Sequence, residues 1–241
     1  MCTAGYYRVS YRALSLRELA RMRGLLRLPL AYFVTRFKHP TPEAWMPNSW
    51  ADLECAPQDL SEHFLQTAAS SRREFERLGF TEVGLKKLRR LLNPHHLDNG
   101  GINYIDASRR YFGQLIYNKT HVPLPINADR EQVTIAFTAV FQHRTLSYTN
   151  AKFGFDSPSL HEIVRRPSSD VASLHQAFIE RLAQCSQPPR HFPDLPSFQV
   201  WFDSNAREMF ESRVRRGLFI RMSDDEVEIA RRILPPPLQN P

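Results

Sequence analysis

The chain has 241 residues, 42% hydrophobic, 24% charged and 11% aromatic, with 18 prolines against 9 glycines. That balance excludes a disordered, collagenous or membrane-spanning polypeptide and is what a soluble globular protein requires. The net charge is +7, and residues 1–38 account for all of it: Arg8, Arg12, Arg17, Arg21, Arg23, Arg27, Arg36 and Lys38 face a single acid, Glu18.

Charge gathered on one segment attracts anions, whether acidic lipid headgroups, an acidic protein face or a phosphodiester backbone. The balanced remainder gives no reason to expect nucleic acid, which leaves such binding to the N-terminal segment alone. Cys2, Cys55 and Cys185 are odd in number, far apart and in no CxxC pair. A disulfide framework and a zinc knuckle are therefore unsupported, and a reducing, cytoplasmic setting is expected. The longest apolar stretch, Leu25–Thr35, is broken by Arg27 and Pro29. It falls short of the ~20 residues that a spanning helix needs, so any membrane association is expected to be peripheral.

In chain order, Ser15-Leu-Arg-Glu18 is a capping box that predicts a helix from Leu16, with Leu19, Met22, Leu25 and Leu26 on one side and most arginines on the other. Pro29 is expected to end it. Residues 39–58 carry four prolines with Trp45 and Trp50 and read as a connector whose tryptophans bury against something. A second helix is expected from Ser61 to Leu78, with Phe64, Ala68, Phe75 and Leu78 on its buried face and Gly79 as its C-terminal cap.

The period then changes from 3.6 to 2. Ile102–Ile105 and Tyr111–Tyr117 predict a hairpin across Asp106–Arg110, and Asn118–Arg130 reads as a loop. The clearest strand, Gln132–Gln142, alternates Val133, Ile135, Phe137, Ala139 and Phe141 with smaller or polar residues; it returns through Leu146–Tyr148, and Leu160–Arg165 could add another strand. Helices follow from Ser169 or Asp170 to Ala183, from Ser197, and from Glu226 to Leu234 after the capping box Ser223–Glu226. This order predicts an α+β fold, an antiparallel meander of four to five strands flanked by N- and C-terminal helices. The domain reading is a basic arm and connector (1–58), one α+β domain (59–234) and a proline-rich tail (235–241).

The nine glycines build neither a dinucleotide loop nor a P-loop, and there is no G-x-S-x-G elbow. His161-Glu162-Ile-Val-Arg165 opens like a zinc-protease helix but has Arg165 where the second histidine belongs. His95, His96 and Asp98 are the densest ligand-like cluster, and read better as a polar loop than as a metal site. Tyr104, Tyr111, Phe112 and Tyr117 read as sheet core rather than as a base-stacking platform. No cofactor or metal is called for.

The leading expectation is therefore a non-catalytic accessory protein. It would dock to a protein complex or an anionic membrane surface through Arg12, Arg17, Arg21, Arg23, Arg27, Arg36 and Lys38. The alternative is a hydrolase or metal-assisted enzyme using His161, Asp170 and His175. That alternative requires those side chains to converge in one pocket.

Overall fold

A computed structural model describes residues 5–23, 28–37, 41–46, 50–88, 95–122, 127–152, 154–158 and 160–233. Its organising element is helix α4 (Glu62–Arg77). Ser61 caps it by accepting from the Phe64 N–H at 3.1 Å, and Gly79, at φ +81°, ends it in the left-handed conformation. Phe64, Ala68 and Phe75 are fully buried on one face of α4.

That face lies on a six-stranded sheet of order β3-β4-β5-β6-β7-β8, made of Phe80–Lys86, His96–Asp106, Tyr111–Val122, Ala128–Val140, Thr145–Thr149 and His161–Arg165. The strands β3 to β7 form an antiparallel meander. β8 joins β7 in parallel, because residues 150–160 carry the chain back to the start of β7 before it re-enters the sheet. The architecture is thus α+β, with seven helices among the described residues and more strands than the four or five expected.

Alternation fixes the two faces of the sheet. Tyr104, Leu115, Tyr117, Ile135, Phe137 and Tyr148 point to the inner face, under α4 and α5 (Val171–Ala183). Ile105, Phe112 and Val140 point to the outer face, where the first half of α6 (Leu195–Arg215) covers them with Phe198 and Trp201. The far half of α6 carries Phe210 and Val214 to a second small core.

That second core is where the sequence misleads. Gly5–Val9 is a strand, β1, at the centre of a three-stranded sheet of order β2-β1-β9, with Thr41–Met46 and Phe219–Arg221 on either side. Tyr7, Val9, Leu14 and Leu19 are buried in it with Leu218 and Phe219. The beginning of the expected arm is therefore interior strand, paired with residues from the far end of the chain. Helix α1 (Leu16–Arg23) starts as expected, with Glu18 accepting from the Ser15 N–H at 2.7 Å and Ser15 from the Glu18 N–H at 3.1 Å.

Pro29, expected as a stop, sits in the first turn of a further helix, α2 (Leu28–Phe37). A missing N–H costs nothing in a first turn, since that donor has no intrahelical acceptor. Leu25, Leu26 and Arg27 lie outside the described residues. The connector contains β2, the short helix α3 (Trp50–Leu53) and a 3₁₀ turn at Pro57–Asp59; the side chains of Trp45 and Trp50, and the tail from 234, lie outside the described residues.

The expected loop 118–130 is largely strand: β5 runs to Val122 and β6 starts at Ala128. Its polar residues pair across the ladder instead, Lys119 with Glu131 at 3.1 Å and His121 with Asp129 at 3.0 Å. α7 (Asp224–Ile233) closes the described chain behind its expected box, with Glu226 accepting from the Ser223 N–H at 2.9 Å.

Candidate functional site

Two regions have the makings of a site. The first is the N-terminal surface. α2 packs against α1 and against a 3₁₀ turn at Tyr11–Ala13. Its other side is largely exposed: Leu30 is 67% exposed, Phe33 64% and Val34 52%. Arg12 in that turn, Arg17 on α1 and Arg36 at the end of α2 are exposed as well. Arg36 lies 4.8 Å over the Tyr32 ring and donates to its hydroxyl at 2.8 Å.

The other expected anion-binding residues divide. Arg21 is ion-paired with Asp156, so part of its charge is neutralised within the molecule. Arg8, on β1 and outside that set, is also paired, with Glu226. The side chain of Arg23, and Arg27 and Lys38 altogether, lie outside the described residues. Glu18, the lone acid of the segment, is 1% exposed and faces inward. Behind α1, burial first and then the neighbouring Arg21 lower the affinity of Arg165 for its proton, with Arg17 adding to the effect.

The second region is a cleft of about 120 Å³ between the outer sheet face and the middle of α6. Its floor crosses four strands: Gln114 on β5, Thr138 on β6, Thr145 and Ser147 on β7, His161 on β8. Its roof is Trp201, Phe202, Asn205 and Met209 of α6. Strand alternation brings the floor together, because Thr138 is opposite Ser147 and Thr145 is opposite His161 in the ladder. Thr138 and Ser147 share a hydrogen bond at 2.9 Å, Thr145 and His161 Nδ1 another at 2.6 Å.

Of the expected catalytic set, only His161 reaches this cleft. His175 lies across the sheet, edge-on to Phe80 at 5.7 Å and beside Phe137 at 5.1 Å. Burial there lowers its pKa against the pull of Asp106. Asp170 caps α5 by accepting from the Ser173 N–H at 2.8 Å, which holds its carboxyl below the usual range. The three do not converge. His161 has instead a hydroxyl on one nitrogen and the Glu208 carboxylate 3.7 Å from the other. That order is the one a nucleophilic triad uses, but 3.7 Å is too long for a hydrogen bond.

The remaining candidates have structural places. Asp98 accepts from the Ser61 hydroxyl and from the Asn99 N–H. Burial lowers the pKa of His96 against the pull of Asp98. No group of three His, Cys, Asp or Glu side chains able to hold a metal occurs among the described residues. Tyr104, Phe112 and Tyr117 are buried. No helix among the described residues is long and apolar enough to cross a membrane.

Comparison of the chain with family models, with curated proteins and with solved structures finds no match. Sequence reasoning singled out His161 but not the cleft around it. Glutamine, threonine and serine on a strand signal nothing by themselves, and the roof comes from a helix some forty residues further along.

Proposed function

We propose that the chain is a non-catalytic interaction protein that attaches to an anionic membrane surface through α1, α2 and the turn before them. The outward face of α2 carries the reading. Leu30, Phe33 and Val34 stand at i, i+3 and i+4, each more than half exposed, with exposed Arg36 within one turn. An apolar stripe of this kind is unrewarded in water and is accommodated at the boundary of headgroups and acyl chains.

Charge supports an anionic surface as the partner. The only acid of residues 1–38 is buried, so the described surface of this segment presents no carboxylate of its own. Each arginine held near an anionic leaflet contributes about 1 kcal/mol. The short helix supplies the apolar contact and the arginines supply the preference for anionic lipid.

Sedimentation with vesicles tests this, using phosphatidylcholine alone and phosphatidylcholine with phosphatidylserine, at physiological salt. The protein is expected to bind the second kind only. Arg12→Gln with Arg17→Gln should weaken binding about 30-fold, and Leu30→Ser with Val34→Ser should weaken it further, all four positions being too exposed to disturb the fold. Equal binding to both vesicles, binding to neither, or binding indifferent to both double variants defeats the reading.

A further inference from the structure

We propose that the cleft under α6 is a binding site for a neutral, planar, single-ring molecule with hydrogen-bonding groups on its edge, of the size of phenol or a pyrimidine base. Three observations carry it: the cleft's volume, its lining and the unspent hydrogen-bonding capacity of its floor.

The volume sets the size. At about 120 Å³ the cleft is close to the ~150 Å³ that suffices for one benzene ring. A second fused ring would extend beyond the cleft into solvent.

The lining sets the chemistry. At the inner end Phe112 and Phe198 stack at 3.8 Å and 7°. Trp201 lies nearly parallel to Phe112, at 5.7 Å and 19°. With their faces packed on one another these rings close the inner end as a rigid aromatic wall, against which a single ring packs better than a branched aliphatic chain. No carboxylate, guanidinium or ammonium group lines the cleft. An anionic ligand would therefore leave water for a cleft with no lysine or arginine in its lining and the Glu208 carboxylate 3.7 Å from His161, at a cost of several kcal/mol.

The floor is what a purely structural face would lack. Where the N-terminal part of α6 meets the same sheet face, the contact is Ile105, Phe112, Val140, Phe192 and Phe198. Further along, the face turns to amide, hydroxyl and imidazole. These groups bond one another sparingly: Gln114 donates to Asn103 at 2.9 Å, Thr138 pairs with Ser147, and Thr145 with His161. A hydroxyl offers one donor and two acceptors and a side-chain amide four positions, so most of the row's capacity is unspent. The Nδ2 of Asn103, at the buried end of this row, has no partner among the described residues. An edge carrying both donors and acceptors, as in phenol or uracil, complements such a row.

The test is a titration followed by ¹H–¹⁵N spectra, reading the side-chain amides of Gln114 and Asn205 and the indole N–H of Trp201. The probes are phenol, uracil, benzene and benzoate. Phenol or uracil is expected to shift these resonances saturably, with a dissociation constant of about a millimolar, as suits so few heavy atoms. Benzene, which lacks edge groups, and benzoate, which is charged, are expected to bind at least tenfold more weakly. Ser147→Leu fills the floor and should abolish the shifts. Asn205→Ala, on the half-exposed roof, tests the site without touching the sheet and should weaken binding about fivefold. The proposal fails if phenol and uracil move none of these resonances up to their solubility limits, or if Ser147→Leu and Asn205→Ala both bind as the native chain does. It fails equally if benzene or benzoate binds as tightly as phenol.

Discussion

Glu18 and Arg216, 198 positions apart in the chain, meet at 2.6 Å in the wall of the small core. The Glu18 carboxylate also accepts from the backbone N–H of Ser15 at 2.7 Å and of Asp156 at 2.6 Å. One buried side chain thus ties α1 to the loop after β7 and to the end of α6. This explains why the start of the chain is not a free arm: its one acid is a junction. Burial alone would raise the Glu18 pKa, but Arg216 and the two N–H donors outweigh it and hold the carboxyl below 4.5.

Glu18→Gln should therefore destabilise the protein by about 3 kcal/mol, since one amide oxygen cannot serve three donors and its NH₂ meets one of them. The pH dependence has a definite sign. A carboxyl whose folded pKa is depressed contributes fully above its unfolded value and loses that contribution as pH falls through the folded one. Urea unfolding of the native chain should show stability falling below pH 4.5, and Glu18→Gln should make that fall shallower. An unchanged acid limb would show that the junction contributes nothing.

Two glycines allow α4 to lie close on the sheet. A Cβ on Gly100 would come within 2.6 Å of two Phe64 ring atoms and 3.1 Å of Leu60. A Cβ on Gly113 would overlap the Phe75 ring, which stacks on Tyr104 at 4.2 Å and 5°. Phe64 and Phe75 are three helical turns apart, so each drops into its own pit on the same sheet face. Gly100→Ala and Gly113→Ala should each cost about 1–3 kcal/mol by overpacking. Thermal unfolding checks this, and the loss should be recovered in part by Phe64→Leu or Phe75→Leu in the corresponding double variant.

Asp106 shapes the turn between β4 and β5. Its carboxylate accepts from the N–H groups of Ser108 at 2.9 Å, Arg110 at 2.8 Å and Tyr111 at 2.7 Å. Arg109 is held there at φ +54°. Asp106→Ala leaves those donors to water and the turn without its template, for an expected loss of about 1–2 kcal/mol. Arg109→Gly, which relieves the left-handed residue, should raise the melting temperature of the variant.

Much of this was legible where a signal is local. The Ser61 cap, the Phe64–Ala68–Phe75 face and the alternation from Val133 to Phe141 each lie within one element, and each element formed. What was not legible is pairing across the chain. Tyr7 and Val9 alternate as a strand should, but five residues are a weak pattern, and their partners Phe219–Arg221 lie beyond two hundred intervening residues. Pro29 is ambiguous in sequence because a proline between apolar residues fits a helix end and a helix start equally well, and the fold uses it as a start. In the cleft, His161 stood out by type alone. Its actual neighbours Thr145 and Glu208 come from another strand and another helix, and its expected partners, His175 and Asp170, lie across the sheet and at a helix cap.

Lys86 gives the last prediction. The end of β3 turns it toward the outer face, where it is 8% exposed with its Nζ 3.9 Å over the Phe202 ring. Burial lowers its pKa from 10.5 to about 7, against the pull of Asp203 and Glu54. A lysine with a depressed pKa binds fewer protons folded than unfolded between those two values, so stability should rise with pH across that interval. The gain from pH 7 to pH 10 should be on the order of 4 kcal/mol. Above pH 10 the slope should reverse, because burial raises the pKa of Tyr104 and of Tyr117, and the unfolded chain loses their protons first. Lys86→Met keeps the length of the stem and removes the titrating amine. Urea unfolding at intervals from pH 7 to pH 10 should show the rise in the native chain and a flat profile in the variant. The same rise in both would mean that the amine reaches water in the folded protein and titrates near its ordinary value.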